Sequence, residues 1–286
     1  MLETVGPVFS IVALGWWLAG RSRMDLPTLS NLALLVTSPA LMFSVLGGAA
    51  VDFERWGVLV AGTLWIALGT AALAVLYLRF TGSERRGLLL PAIFWNAGNL
   101  TLPLARLAYG EPGLEAAAVI YVTVAILNST LGLWIAKGEN GLSEVIRMPL
   151  AYGSIGGLAL AISGRTLPRL VMEPIEMLGA MAIPLLLLNL GMHLRSLALR
   201  DIRHTVVVVA IRMAGGAACA LLFIAQFGVT GVERKVLLLA SIMPAAVINV
   251  IIAQRYSREP ALVASAVVLG TLVSLVTIPL VLYFAG

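Results

Sequence analysis

Along most of the chain, apolar residues come in runs of roughly 20, the length a helix needs to cross a hydrocarbon core. Short clusters of Arg, Lys, Glu, Pro and Gly separate them. This pattern predicts ten membrane spans: 5–20, 26–48, 56–78, 87–109, 114–136, 148–163, 175–194, 205–227, 236–256 and 261–285. The fourth and ninth are unlike the rest. Within 87–109, Asn96, Gly98, Asn99, Thr101 and Pro103 sit close together, and within 236–256, Pro244 is followed by Asn249. Proline removes a backbone donor and clashes with the preceding turn, and Gly weakens it further. Hydrocarbon cannot solvate the freed groups, so both stretches are expected to be broken helices buried inside a bundle, against something polar.

Composition narrows the class. The protein has 286 residues, 60% hydrophobic and 12% charged, against about 25% charged in soluble domains. An all-α, multi-pass membrane protein is the expectation, with no room for an added soluble domain. The first run begins close to Met1 without a basic leader, so it reads as a retained helix rather than a signal peptide. The net charge of +5 is accounted for by basic residues flanking spans. Nucleic acid is therefore not an expected partner. The lone Cys219 lies in an apolar run and reads as packing.

The basic residues are lopsided. Arg21, Arg23, Arg79, Arg85, Arg86, Lys137, Arg147, Arg195, Arg200, Arg203, Arg255 and Arg258 fall on one side of the predicted spans, and Arg55, Arg165, Arg169, Arg234 and Lys235 on the other. The richer side is expected to be cytoplasmic, with both termini outside the cytoplasm and the protein in the cell (inner) membrane. The halves also echo one another. Gly20-Arg21-Ser22 matches Gly164-Arg165-Thr166, Pro39 matches Pro184, and Tyr109 with Glu111-Pro112 matches Tyr256 with Glu259-Pro260. One order and an offset of about 145 residues are kept throughout, and an odd number of spans per half makes this a 5+5 inverted repeat. Residues 1–136 are the first repeat, 137–147 a cytoplasmic linker and 148–286 the second.

Asn96-Ala97-Gly98-Asn99-Leu100-Thr101-Leu102-Pro103 with Ala108-Tyr109-Gly110, Met243-Pro244 with Asn249, Ala253 and Tyr256, Ser38-Pro39-Ala40-Leu41-Met42-Phe43, and Ile183-Pro184-Leu185-Leu186-Leu187 together resemble the auxin efflux carrier family, bacterial relatives of plant auxin carriers. Thr101 stands where a Gly is usual, Trp95 where plant members carry a Pro, and Ala245 at an often polar place. The resemblance implies a fold like those of bile-acid symporters and sodium/proton antiporters. Helices 4 and 9 would cross at mid-membrane, helices 1, 2, 6 and 7 would form a scaffold, and helices 3–5 and 8–10 would form a transport domain. It implies a secondary transporter of a small organic anion, auxin-like or a dicarboxylate, working by alternating access.

At such a crossing each broken helix offers an N-terminus that binds an anion without a buried Lys or Arg. The expected substrate-binding residues are Asn96, Gly98, Asn99, Thr101, Pro103, Pro244, Ala245 and Asn249, with Asn128 and Asn189 as neighbours. For each Asn, interhelical glue is the alternative. Arg212 is the clearest charge inside a span, with function and snorkelling as its two readings. Expected partners are the organic anion and the lipid bilayer, with a homodimer left open; no cofactor or metal site is expected, since His193 and His204 lack ligand spacing. A sodium-coupled symporter of the bile-acid type is the alternative transporter, and a membrane receptor or scaffold the alternative class. An enzyme is disfavoured, since the chain has no embedded carboxylate pair and no H-E-x-x-H motif.

Overall fold

A computed structural model describes residues 2–21, 24–137 and 147–285. Ser22, Arg23 and most of the expected linker lie outside the described residues. Every regular element among the described residues is helical. In chain order these are α1 (Leu2–Arg21), α2 (Leu26–Leu32), α3 (Ser38–Gly47), α4 (Phe53–Thr81), α5 (Leu89–Ile93), α6 (Leu102–Leu127), α7 (Leu133–Lys137), α8 (Pro149–Ser163), α9 (Arg169–Ala180), α10 (Ala182–Ser196), α11 (Ile202–Ala210), α12 (Gly216–Phe227), α13 (Gly231–Ser241), α14 (Ile248–Arg255) and α15 (Pro260–Ala285). Widened π-turns at Ala33–Thr37, Asn128–Gly132 and Ile211–Gly215 join α2 to α3, α6 to α7 and α11 to α12 without a break, and a fourth, Ala97–Thr101, leads into α6.

Among the described residues, six helical stretches are long and apolar enough to cross a membrane: Leu26–Gly47, Phe53–Thr81, Ala97–Lys137, Arg169–Ser196, Ile202–Phe227 and Pro260–Phe284. Val5–Arg21 and Pro149–Ser163 are apolar but shorter. The difference from ten uniform spans has local causes. The stretch Ala97–Lys137 is two arms: at Gly110 the backbone takes φ 69° and ψ −156°, a conformation open to glycine. A Cβ added at Gly113 would strike the Ala105 carbonyl and lie 2.7 Å from the Tyr109 Cβ. In an unbroken helix, eight residues would separate 105 from 113 by about 12 Å, so the chain turns back at Gly110. The seventh predicted span starts earlier than read, at Arg169, and steps at Met181 just ahead of Pro184. Pro39 does not end its helix; it follows directly on the π-turn Ala33–Thr37, which re-spaces the helical bonds just ahead of its missing N–H.

Helix starts follow ordinary capping. The Asp52 carboxylate accepts the Glu54 and Arg55 amides at 3.1 Å each, and Asp25 accepts the Thr28 amide at 3.0 Å; each satisfies orphan donors of a first turn. Two packing groups follow. In one, α1 lies along α10, and α3 lies along α8 and α9. Backbones there nearly touch: a Cβ at Gly191 would meet the Val12 carbonyl, one at Gly15 the Leu188 carbonyl and one at Gly153 the Pro39 carbonyl. Small residues permitting close approach are the usual means of helix association in lipid. In the other, α4 and α13 pack on each other and each on α6 and α12, and α11 lies along α15. Cys219 rests against Gly69 there, at the α4–α12 contact. The buried core, including Trp95, Phe94, Ile93, Leu100 and Leu104, sits where the two interrupted segments meet.

Candidate functional site

The fourth predicted span is broken as its Asn, Gly and Pro content suggests. A 3-10 turn and α5 run from Arg86 to Ile93, the chain is extended from Phe94 to Asn96, and helix resumes at Ala97. The ninth breaks between Ser241 and Ile248. The two extended pieces pair antiparallel. The Asn96 amide donates to the Pro244 carbonyl at 2.8 Å, the Ala246 amide donates to the Phe94 carbonyl at 3.1 Å, and Trp95 faces Ala245 across the bridge. Backbone freed by the breaks is thus satisfied by the partner break, the requirement for non-helical chain at membrane depth. Asn96 is 3% exposed and Asn249 0%.

Most of the predicted residues fall into two groups, with Asn189 apart. Asn96, Gly98, Asn99, Thr101, Pro244 and Ala245 are brought together at this crossover. Asn96 caps the helix that follows, its side-chain oxygen accepting the Asn99 amide at 3.0 Å, while its Nδ2 has no protein partner. The Thr101 hydroxyl donates to the Asn96 carbonyl at 3.2 Å. Gly98 leaves room for Tyr121, whose ring carbon would lie 2.9 Å from an added Cβ. Pro103 does not lie in the break; it follows directly on the π-turn Ala97–Thr101, near the start of the resumed helix.

Asn249 and Asn128 form a second group. Asn249 donates from Nδ2 to the Phe94 carbonyl at 2.8 Å and accepts at Oδ1 from Asn128 Nδ2 at 3.0 Å. Both ends of the Asn249 amide are therefore engaged in tying α14 to the broken end of α5 and to the π-turn after α6. Asn189 belongs to neither group: it accepts the Ser30 hydroxyl at 3.1 Å, with the His193 ring 3.3 Å from the same hydroxyl, between α2 and α10.

The helix starts at the crossover carry fewer open N–H groups than two bare termini would. Asn96 occupies the Asn99 amide, and the Asn249 and Val250 amides donate to the Ala246 and Val247 carbonyls at 3.1 and 2.9 Å. The breaks close on themselves wherever a local carbonyl is within reach, because an unpaired buried amide is costly.

Arg212 corrects the snorkelling alternative. It is 1% exposed, and its guanidinium is turned into the bundle. Nη1 donates to the Ile93 and Ala92 carbonyls at 2.9 and 3.3 Å, Nη2 donates to the Ser241 carbonyl at 3.1 Å, and the guanidinium carbon lies 4.8 Å from the centre of the Trp95 ring. One side chain thus holds the last carbonyls of both broken half-helices. The sequence signal was the position of an Arg well inside an apolar run; its partners lie about 120 and 29 residues away and leave no local trace.

Toward the Arg106 end of α6's first arm, a cleft of about 410 Å³ lies between the two packing groups, lined by Leu41, Ser44, Arg106, Glu111, Glu115 and Glu176 among others. Arg106 pairs with Glu111 at 3.0 Å, and the Trp56 indole donates to Glu115 at 2.9 Å. Among the described residues no group of three or more His, Cys, Asp or Glu is arranged to hold a metal.

Comparison with known proteins places this architecture. An uncharacterized transporter of Methanothermobacter thermautotrophicus is 26% identical over 302 residues, covering 97% of this chain and 96% of that protein. An uncharacterized transporter of Methanocaldococcus jannaschii is 23% identical over 269 residues, covering 88% and 87%. The family model described as membrane transport protein matches residues 1–145 and again 140–282. With nearly its whole length matched and its apolar helices in place, this multi-pass membrane chain belongs to the membrane transport protein family, the auxin efflux carrier family.

Proposed function

We propose that the protein is a secondary transporter moving a small organic anion, a carboxylate of the auxin-like or dicarboxylate kind, by alternating access. The observation that carries the reading is the crossover. Two broken segments pair in the buried centre of the bundle, residues 87–105 and 236–254 contain no charged side chain, and the Asn96 amide nitrogen there is an unpartnered buried donor. A buried donor without a protein acceptor suits a ligand oxygen, and oriented helix starts favour negative charge.

The ten-span, 5+5 reading is supported by the helical order. α1, α2–α3, α4, the broken stretch 86–109 and the arm 111–137 are followed by α8, α9–α10, α11–α12, the broken stretch 231–255 and α15. The packing supports a division of labour in which α1–α3 and α8–α10 are the scaffold and the remaining helices carry the crossover past it. The cleft at Ser44 and Arg106 lies between these groups, where an access path to the crossover would open. The Arg and Lys asymmetry supports an inner-membrane protein with both termini outside the cytoplasm.

The test is a thermal-unfolding screen of the purified full-length protein against acid and amide pairs: benzoate and benzamide, succinate and succinamide, indole-3-acetate and indole-3-acetamide. A bound acid at a hundred times its Kd stabilises the folded state by about 2.7 kcal/mol. At least one acid is expected to raise Tm where its amide does not. No acid doing so overturns the anion reading.

A further inference from the structure

We propose that Arg212 is the fixed counter-charge of the crossover, a positioning residue that sets its preference for anions without touching the cargo. The proposal rests on the transport reading above. Two interrupted helices bring four helix ends to one place. The starts at Ala97 and Ile248 carry partial positive charge, and the ends at Ile93 and Ser241 carry partial negative charge. Without compensation the four ends would sum to about zero, and the centre would prefer neither sign of cargo.

Arg212 changes that sum. Its guanidinium is shared between the two negative ends, through the Ala92 and Ile93 carbonyls on one side and the Ser241 carbonyl on the other. One full positive charge offsets the two negative ends, and the two positive ends, reduced by the amides already paired within them, remain. The balance left at the crossover favours an anion. The surroundings keep the charge effective. Arg212 stacks on Trp95, and the gap beside it, lined by Pro91, Val208, Met213, Ala245 and Gly270, leaves no room for a water molecule. A charge that water cannot screen acts over longer distances than one at the surface.

The local chain is shaped for this contact. The π-turn Ile211–Gly215 carries Arg212, and one helical turn later Gly216 has no side chain where a Cβ would collide with both the Arg212 guanidinium and the Ser241 carbonyl. Trp95 lies against Arg212 and Ala245 lines the same dry gap, so the cargo would meet the crossover at Asn96, whose amide is unpaired, and not at Arg212. Arg212 would thus act on the cargo through the helix ends it neutralises.

The experiment compares wild type, Arg212→Met and Arg212→Lys as purified full-length proteins, using the acid and amide pairs named above and carrying forward the pair with the largest wild-type difference. The readout is the ratio of acid to amide affinity, with Tm in the absence of either compound recorded beside it. A residue that only held the fold would weaken acid and amide alike and leave the ratio unchanged. As counter-charge, Arg212→Met is expected to lower the ratio by on the order of tenfold, and Arg212→Lys to restore it to within about threefold of wild type even where its Tm is lower. A ratio unchanged in Arg212→Met, or a Lys variant that discriminates no better than Met, overturns the proposal while leaving the transporter reading standing. Should Arg212→Met not fold, the neutral Arg212→Gln takes its place: a ratio lowered by on the order of tenfold supports the counter-charge and an unchanged one overturns it. Absence of any acid preference in wild type overturns the anion reading, and this inference with it.

Discussion

Removing the Asn249 side chain measures how much the crossover depends on side-chain pairing. Asn249 is fully buried, and Phe94 and Asn128 are 1% and 6% exposed. Asn249→Ala deletes the bond to the Phe94 carbonyl at 2.8 Å and the bond from Asn128 Nδ2 at 3.0 Å; it strands the buried Asn128 donor, while the Phe94 carbonyl keeps the Ala246 amide. At about 1 kcal/mol net per bond, with an added cost for the unmet donor, the expected loss is about 2–3 kcal/mol. The membrane average of about 0.6 kcal/mol per interhelical bond sets a floor near 1 kcal/mol for the two. Asn128→Ala removes only one of these bonds, so the pair should couple by about 0.6–1.7 kcal/mol in a double-mutant cycle. The assay is reversible unfolding in mixed detergent and lipid micelles, followed by circular dichroism and tryptophan fluorescence. An Asn249→Ala variant within about 0.5 kcal/mol of wild type, or a cycle that is strictly additive, would refute the claim that this amide holds the two breaks together.

Asn96→Ala should act the other way: with Nδ2 unpaired in the protein, its loss is expected to weaken the best acid of the screen by roughly 10- to 100-fold, and unchanged affinity with a lowered Tm would make Asn96 a structural cap only. Gly191→Ala places a methyl against the Val12 carbonyl and 2.8 Å from the Trp16 nitrogen, so unfolding should show a loss of about 1–3 kcal/mol. Gly6→Ala, where an added Cβ meets nothing within 4 Å, should be neutral or slightly stabilising. The Asp201 carboxyl is held below its ordinary value of 3.8, first by its bond to His204 and then by Arg85. Its contribution is therefore present above that ordinary value and lost as pH falls through the lower folded one. The Tm gap between wild type and Asp201→Asn should accordingly close on acidification. In a Cys219→Ser background, Glu84→Cys should be shielded from an impermeant thiol reagent in intact cells and Pro168→Cys labelled; the reverse pattern would invert the proposed topology.

The breaks themselves were legible because their causes are local. Pro244, Gly98 and Asn96 act on the backbone within one turn of themselves, and the structure interrupts both stretches where those residues fall. Gly110 was legible only as part of a connection, and the tightness of its reversal depends on Ala105 and Tyr109 lying against Gly113. Asn249 and Asn189 look alike in sequence, each an amide within an apolar run. The structure gives one to the crossover and the other to Ser30 and His193 on a different pair of helices. Composition carried no information about that choice, since an amide accepts whatever partner the packing brings.

By itself, then, the sequence determined that the chain is a membrane-embedded helical protein, where its helices are interrupted, and to which family it belongs. Each of these follows from apolar length, from proline and glycine backbone chemistry, or from motif order, and all of them are properties of neighbouring residues. Only the tertiary structure decided that the two interruptions pair with each other, that Asn249 is spent on holding them, and that Arg212 faces inward to join the ends of two half-helices. These pairings span from 29 to 155 residues. They exist because each buried polar group must find its partner inside the protein, and which partner is within reach is settled by how the helices pack.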